Sequence, residues 1–402
     1  MTPIQYETHA KRTIIDYDRN EGKFLTAELS LIGEAGEILE LFRQKQTTGT
    51  MNKQNLKEEL GDVLWGCVFA CDVMGMTFDY VMNLQAEALN EYQGNVKDLD
   101  FKKFSQLVTR ADAFKFDLSG KGRWEENLFM MTCVAIESME KSSLAKKKAH
   151  LSLQQRAHIA DMRRKEISRY IGEIVEIISV IADKELDSDL DEIAQHNVEK
   201  LKGRYDPTQK PIVRESNPEL YDIIRSSFGI CKIGCNILEI IQKNQGTEIL
   251  TSEMLSLLVA IKSILEKSGF TQSQIDILFQ DNLIEPNIKT GGIDAAVKNL
   301  KTILEYACNI ADVAKKAHYK NIDLDKQKVG DLVGKSLLCI NNTVINLGAS
   351  RDFSPDLDKW YFAADEEKRY KHLKGKLGKN IGKKLTAGIG NVAPPFDPTT
   401  IH

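Results

Sequence analysis

AELSLIGEAGEILELFRQKQTTGTMNKQNLKEELGDVLWGCVFACDVMG, residues 27–75, carries two helical patterns around a short polar break. Each pattern holds an acidic pair three residues apart: Glu34 with Glu37 in GEAGE, and Glu59 with Asp62 in EELGD. Residues at that spacing lie on one face of a helix. Leu29, Leu31, Ile32, Ile38 and Leu41 give the first helix an apolar side, and Leu60, Val63, Leu64 and Val68 do the same for the second. Packed as an antiparallel pair, the two helices bring four carboxylates to one place. Such a cluster is costly to bury without a counter-charge, and hard cations such as Mg²⁺ take oxygen ligands of this kind, commonly alongside a substrate phosphate. The ordinary alternative is four solvated acids on amphipathic helices. Against it, the acids sit within the apolar run, and small residues flank them (Gly33, Ala35, Gly36, Gly61). A glycine inside a helix costs roughly 1 kcal/mol relative to alanine, so these glycines are expected to mark close helix approach.

The stretch resembles the MazG-like all-α nucleoside triphosphate pyrophosphohydrolases, whose motif is E-x-x-E, a spacer, then E-x-x-D. Glu34, Glu37, Glu59 and Asp62 match it position for position, and the lead-in YETHAKRT (Tyr6 to Thr13) is similar to the segment that precedes it. The resemblance implies a metal site of these four acids, holding Mg²⁺ with Mn²⁺ as an alternative. It also implies hydrolysis of a (d)NTP between its α and β phosphates, giving the monophosphate and pyrophosphate. Glu34 or Glu37 would then orient or deprotonate the attacking water, which makes these two the candidate catalytic residues.

Self-similarity extends the reading along the chain. Segment 127–207 reads as a second copy, with Glu137 and Glu140 on Glu34 and Glu37, and Glu173 on Asp62, but Tyr170 on Glu59. A metal site there is doubtful, with one acid of the four replaced. This copy instead carries HNVEKLKGRYDP, residues 196–207, which resembles the family's N-x-x-K-L-x-x-R-Y triphosphate-binding motif through Asn197, Lys200, Arg204 and Tyr205. The first copy has MNLQAEALNEYQ (82–93) at the equivalent place. Arg offers a planar fork to phosphate oxygens and Lys a mobile point charge. A third, weaker copy puts Glu253 on Glu59 and Ser256 on Asp62, with Gly269 on Gly75. In a fourth, Asn309 and Asp312 fall on the first pair, Lys328 on Glu59 and Asp331 on Asp62. The expected architecture is all-α: tandem MazG-like helical bundle repeats at 1–100, 101–210, 211–290 and 291–402, forming an intrachain pseudo-oligomer in which fused copies are free to diverge. The chain is then a monomer or a small homo-oligomer.

Composition agrees with a globular helical protein. The 402 residues are 42% hydrophobic and 28% charged with nine prolines, and no apolar run approaches the ~18 residues of a membrane span. The N-terminus MTPIQYETHAKR lacks an apolar core, so a signal peptide is not expected and the cytoplasm is. Seven cysteines without a C-x-x-C, including the pairs Cys67/Cys71 and Cys231/Cys235, read as buried thiols of a reducing compartment. The tail is basic over residues 368–390, but with Tyr370 the one Phe, Tyr or Trp of that stretch, nucleic acid is not an expected partner.

Trp65, one turn past Asp62, is a candidate to stack on the substrate base, with a core role as the alternative. A di-iron or di-manganese bundle needs Glu-x-x-His pairs, and no histidine has a glutamate three residues before it. A non-catalytic scaffold that binds a nucleotide or a protein is the remaining rival.

Overall fold

The polar break in the quoted stretch ends one helix and begins the next by separate devices. In α2 (Asn20–Thr48) the chain leaves the helix at Gly49, with φ +75°. It re-enters as α3 (Lys53–Met74), where the Asn52 side chain accepts from the Asn55 amide at 3.1 Å. Such a cap satisfies one of the orphan donors of the first turn. The computed structural model describes residues 1–14, 20–89, 98–110, 124–146, 152–204, 218–242, 247–282, 292–320 and 322–347. Among the described residues there are thirteen helices and no strand. None of these helices alone is long and apolar enough to cross a membrane. All seven cysteines are free, and six of them are buried.

The chain divides into two compact units, Met1–Phe228 with Cys308–Leu324, and Gly229–Ala307 with Asp325–His402. The divisions fall inside helices α9 (Pro218–Gln242) and α12 (Gly292–Lys320).

In the first unit, α2 and α3 pack closely, joined by the short 49–52 connection. They come close at Gly66, where an added Cβ would sit 3.2 Å from the Ser30 carbonyl group. The same unit holds α1 (Pro3–Lys11), α4 (Phe78–Leu89), α5 (Phe101–Arg110), α6 (Trp124–Lys146), α7 (Leu153–Leu186) and α8 (Leu190–Arg204). Helices α6 and α7 form a second close pair, with α2 against α6 and α3 against α7. Packing is then exchanged: α8 lies on α3, and α4 lies on α7. Leu60, Leu64, Cys67, Val68 and Cys71 of α3, and Ile171, Ile174, Val175 and Ile178 of α7, are fully buried by this arrangement.

Two details of α1–α4 have similar counterparts in α5–α8. The Glu7 carboxylate of α1 accepts from the Phe78 amide that opens α4 (3.0 Å), as the Ser105 hydroxyl of α5 accepts from the Leu190 amide that opens α8 (3.0 Å). Helix α3 ends at Gly75 (φ +69°) and α7 at Asp187 (φ +51°), both left-handed. Tyr6, Phe78 and Phe101 form a buried aromatic cluster where α1, α4 and α5 meet, with centroids 5.6 to 6.3 Å apart.

In the second unit, α13 (Lys326–Asn346) packs on α10 (Thr247–Lys267) and α11 (Gln272–Asn282). Helix α10 ends at Gly269 (φ +76°), and the Phe270 amide donates to the Leu265 carbonyl (3.1 Å). Gly75 ends α3 in the same way, with the Met76 amide on the Cys71 carbonyl (2.9 Å). Only glycine takes this conformation without a Cβ penalty.

Candidate metal and phosphate site

Helices α2 and α3 bring three of the four expected acids together. Ligand oxygens of Glu34, Glu59 and Asp62 all lie within 4.8 Å of one another. Glu37 lies one turn along α2 from Glu34, close enough to Glu59 for the two carboxyls to act on each other. Two of the three glycines mark close helix approach as expected, though not of α2 to α3. Gly33 has nothing within 4 Å of an added Cβ, so it marks no close approach. Gly36 faces Cys308, and Gly61 faces Asn197, so neither of these makes the α2–α3 contact that Gly66 makes.

Asp62 is held from α8. The Asn197 amide nitrogen donates to Asp62 Oδ1 at 2.9 Å, and Lys200 Nζ lies 2.6 Å from Asp62 Oδ2 and 3.7 Å from Glu58. Asn197 is fully buried, and its Oδ1 accepts from the Tyr6 hydroxyl at 2.9 Å. Both ends of this side chain are therefore engaged, and it orients Asp62 where the sequence placed it on substrate. The lead-in segment has its role here too, since Tyr6 secures Asn197.

A further cation enters from a place the sequence did not mark. Lys315 of α12 lies 2.9 Å from Glu34 Oε1, and its side chain is 23% exposed. The helix carrying it is pressed on α2, with the Cys308 thiol 3.7 Å from the Ile32 carbonyl. No local motif announces Lys315; it is one lysine in AKKAH, 281 residues from its partner. The one available signal was Asp312 in a fourth helical copy, and that directed attention to carboxylates.

The electrostatics follow from crowding. Burial, then the charges of Glu37, Glu34 and Asp62, push the Glu59 carboxyl up to about 9, against a smaller opposing pull from Lys200. Glu37 is raised as well, first by burial and then by Glu34. Burial works against the Lys315 charge, but Glu34, Asp312 and Glu37 together outweigh it and hold its ammonium above the ordinary lysine value. A partly buried set of carboxylates in which Glu59 and Glu37 are raised, and to which two lysines are drawn, is short of positive charge. All its donors are oxygens, which fits a hard divalent ion.

Trp65 is half-buried, with its indole N–H on Thr13 Oγ1 (2.8 Å) and its ring edge-on to Phe69 at 5.4 Å. Arg204 closes α8; its side chain, like Tyr205 and the basic tail from Lys368, lies outside the described residues.

The equivalent place on α7 is built differently. An added Cβ at Gly172 would meet Gln85 Cβ at 2.8 Å, as Gly61 meets Asn197. Gln85 also lies as far beyond Gly75 as Asn197 lies beyond Asp187. Gln85, within the 82–93 segment, thus sits on Gly172 as Asn197 sits on Gly61. Gln85 donates to Glu176 at 2.6 Å, Glu173 pairs with Arg169 at 3.4 Å, and Glu137 pairs with Lys141 at 2.5 Å. These acids are satisfied on their own helices or from α4. Among the described residues, the one group of acids arranged to hold a metal is that of Glu34, Glu59 and Asp62.

Residues 23–91 match the family model of the MazG nucleotide pyrophosphohydrolase domain. That span contains all four acids and none of Asn197, Lys200 and Lys315. No curated protein and no solved structure matches the chain.

Proposed function

From a MazG domain at residues 23–91, we propose that this protein is a divalent-metal-dependent nucleoside triphosphate pyrophosphohydrolase, releasing a nucleoside monophosphate and pyrophosphate from a (d)NTP or related nucleotide. The observation that carries the reading is the convergence of Glu34, Glu59 and Asp62 within 4.8 Å, in the helix pair that the family match covers. Glu34, Glu37, Glu59 and Asp62 are the residues to hold Mg²⁺ or Mn²⁺. Such an ion, when bound, supplies neutralisation of charge on the phosphate oxygens.

The chain's own groups divide the remaining work. Asn197, held by Tyr6, fixes the orientation of Asp62. Lys200, 11% exposed beside Asp62, is placed to meet a phosphate oxygen as a point charge once the carboxylate has another partner. Glu37 is the acid best suited to take a proton from the attacking water, since its carboxyl is raised by burial and it lies at the edge of the cluster. Arg204 and Tyr205, which complete the motif in the sequence, are assigned to triphosphate binding by that motif alone.

We place this site in a pseudo-dimer within one chain, with α1–α4 as one repeat and α5–α8 as its degenerate partner. The paired helix-start contacts of Glu7 and Ser105, and the reciprocal Gly61–Asn197 and Gly172–Gln85 contacts, support that reading.

The test is turnover of each canonical NTP and dNTP with Mg²⁺ or Mn²⁺, with products separated by chromatography. Monophosphate and pyrophosphate are expected, and Glu59→Gln with Asp62→Asn is expected to abolish them. Diphosphate and orthophosphate would refute the cleavage position. Nucleotide binding without turnover would identify a binding scaffold instead.

A further inference from the structure

Lys315 lies outside the family-matched segment yet makes direct contact with one of its acids. Helix α12 fixes it there: Cys308, two turns earlier, fills the space left by Gly36, and a Cβ at that glycine would lie 2.7 Å from the Cys308 thiol. The Lys315 ammonium therefore reaches Glu34 from a braced helix. It arrives on the Glu34 side of the cluster, and Lys200 arrives on the Asp62 side. Asp312, one turn before Lys315, is paired with Lys316 at 2.6 Å. Lys315 is thus directed at the acids of α2.

An ammonium and a divalent ion cannot both occupy the same carboxylate lone pair at contact distance, and two cations that close repel strongly at reduced dielectric. We propose that Lys315 is a built-in counter-cation of the acidic site, which competes with the divalent ion for Glu34 and must swing away from it when metal binds. Metal uptake is thereby coupled to release of an ammonium beside the place where the triphosphate sits. In the metal-free protein the same lysine covers the carboxylates. The proposal rests on the metal-site reading above and adds the regulation of that site by α12.

The test uses the full chain and Mn²⁺ alone. Titration calorimetry compares the wild type with Lys315→Gln and Lys315→Arg. Lys315→Gln is expected to bind Mn²⁺ at least about tenfold more tightly, and Lys315→Arg, which keeps the cation, to stay close to wild type. Without metal Lys315→Gln should melt at a lower temperature, and Mn²⁺ should raise its melting temperature by more than it raises that of the wild type. A second measurement needs no substitution: acetic anhydride labelling of Lys315, read by peptide mass spectrometry, should rise when Mn²⁺ is added. Equal Mn²⁺ affinity in the wild type and Lys315→Gln, or labelling of Lys315 indifferent to Mn²⁺, would overturn the proposal and leave the metal site standing. Absence of Mn²⁺ binding in both proteins would overturn the metal-site reading, and the proposal with it. Binding in Lys315→Gln alone supports the proposal in its strongest form.

Discussion

Gly61 should be the least replaceable glycine of α3, and Gly33 of α2 among the most replaceable. A Cβ at Gly61 would lie 2.9 Å from Asn197 Cβ and 3.1 Å from its Nδ2. Asn197 Cβ is attached to the α8 backbone, so it has no rotamer in which to retreat; α8 itself must move from α3. Alanine gains about 1 kcal/mol of helix propensity at such a site. Against this, overpacking costs typically about 1–3 kcal/mol. Loosening the bonds of Asn197 to Asp62 and to Tyr6 costs about 1 kcal/mol each. Gly61→Ala is therefore expected to destabilise by about 2 kcal/mol or more. At Gly33 nothing lies within 4 Å of the added atom, so the propensity gain stands alone and Gly33→Ala should stabilise by up to about 1 kcal/mol. Urea unfolding in metal-free buffer, with a common m-value, reads both. A Gly61→Ala protein as stable as wild type would refute the direct seating of α8 on α3, and with it the route by which Lys200 reaches Asp62.

The reciprocal contact gives a matching expectation: Gly172→Ala, whose Cβ would sit 2.8 Å from Gln85, should destabilise by about 1–3 kcal/mol in the same urea assay while leaving Mn²⁺ affinity unchanged. Tyr6→Phe removes the hydroxyl that satisfies Asn197 Oδ1; unfolding should show a loss of about 1–3 kcal/mol, the cost of an unsatisfied buried acceptor. Lys200→Met should raise KM for the nucleotide more than it lowers kcat, and steady-state kinetics on the preferred nucleotide would show it. The Glu59 carboxyl, raised from 4.5 to about 9, holds a proton in the folded metal-free protein that the unfolded chain has lost between those values. Its effect on metal-free stability is therefore absent below 4.5 and increasingly unfavourable as pH rises toward 9. Metal displaces that proton, so Mn²⁺ affinity should climb by about tenfold per pH unit between pH 6 and 8. Calorimetry in buffers of different ionisation enthalpy should register about one proton released per ion; a pH-independent affinity would contradict the crowding of these acids.

The helix pair and its acids were legible because both signals are local. Apolar residues at helical spacing define the faces of α2 and α3, and E-x-x-E and E-x-x-D place each acid pair within one turn. Asn197 and Lys200 were legible through a motif, though the motif did not distinguish a residue that meets phosphate from one that orients Asp62. That distinction needs burial, and Asn197 has no exposure at all. Gln85 was not singled out, because the 82–93 segment does not repeat the N-x-x-K-L-x-x-R-Y motif. Counting from the left-handed closures at Gly75 and Asp187 pairs it with Asn197. Lys315 was beyond reach of the sequence, since a lysine on a helix surface is ordinary until a distant acid is placed beside it. The glycines were read correctly as unusual, but a glycine records only that something comes close and not which helix does so.

The two reciprocal stations explain how a single acidic site arises from similar parts. At each, a helix of one half drops a polar side chain onto a glycine of the other: Asn197 onto Gly61, and Gln85 onto Gly172. Asparagine is short, and its amide stops at the next residue along, Asp62. Glutamine is one methylene longer, and its amide reaches Glu176 a full turn beyond Gly172. Glu173, the residue corresponding to Asp62, is then left to Arg169. One turn further along the covering helix, Lys200 stands over the acids at the first station, and the same count from Gln85 gives Ala88 at the second. The second station thus lacks an asparagine to orient its acid, a lysine to face phosphate, and an acid at Tyr170. These differences are physically consistent with one another, since an unpaired lysine or carboxylate in a buried interface is costly. Replacing them with pairs closed on one helix removes that cost while keeping the packing that the first station depends on. Asn197 and Lys200 reach Asp62 from α8, so an acid of residues 23–91 is held by a helix more than a hundred residues downstream.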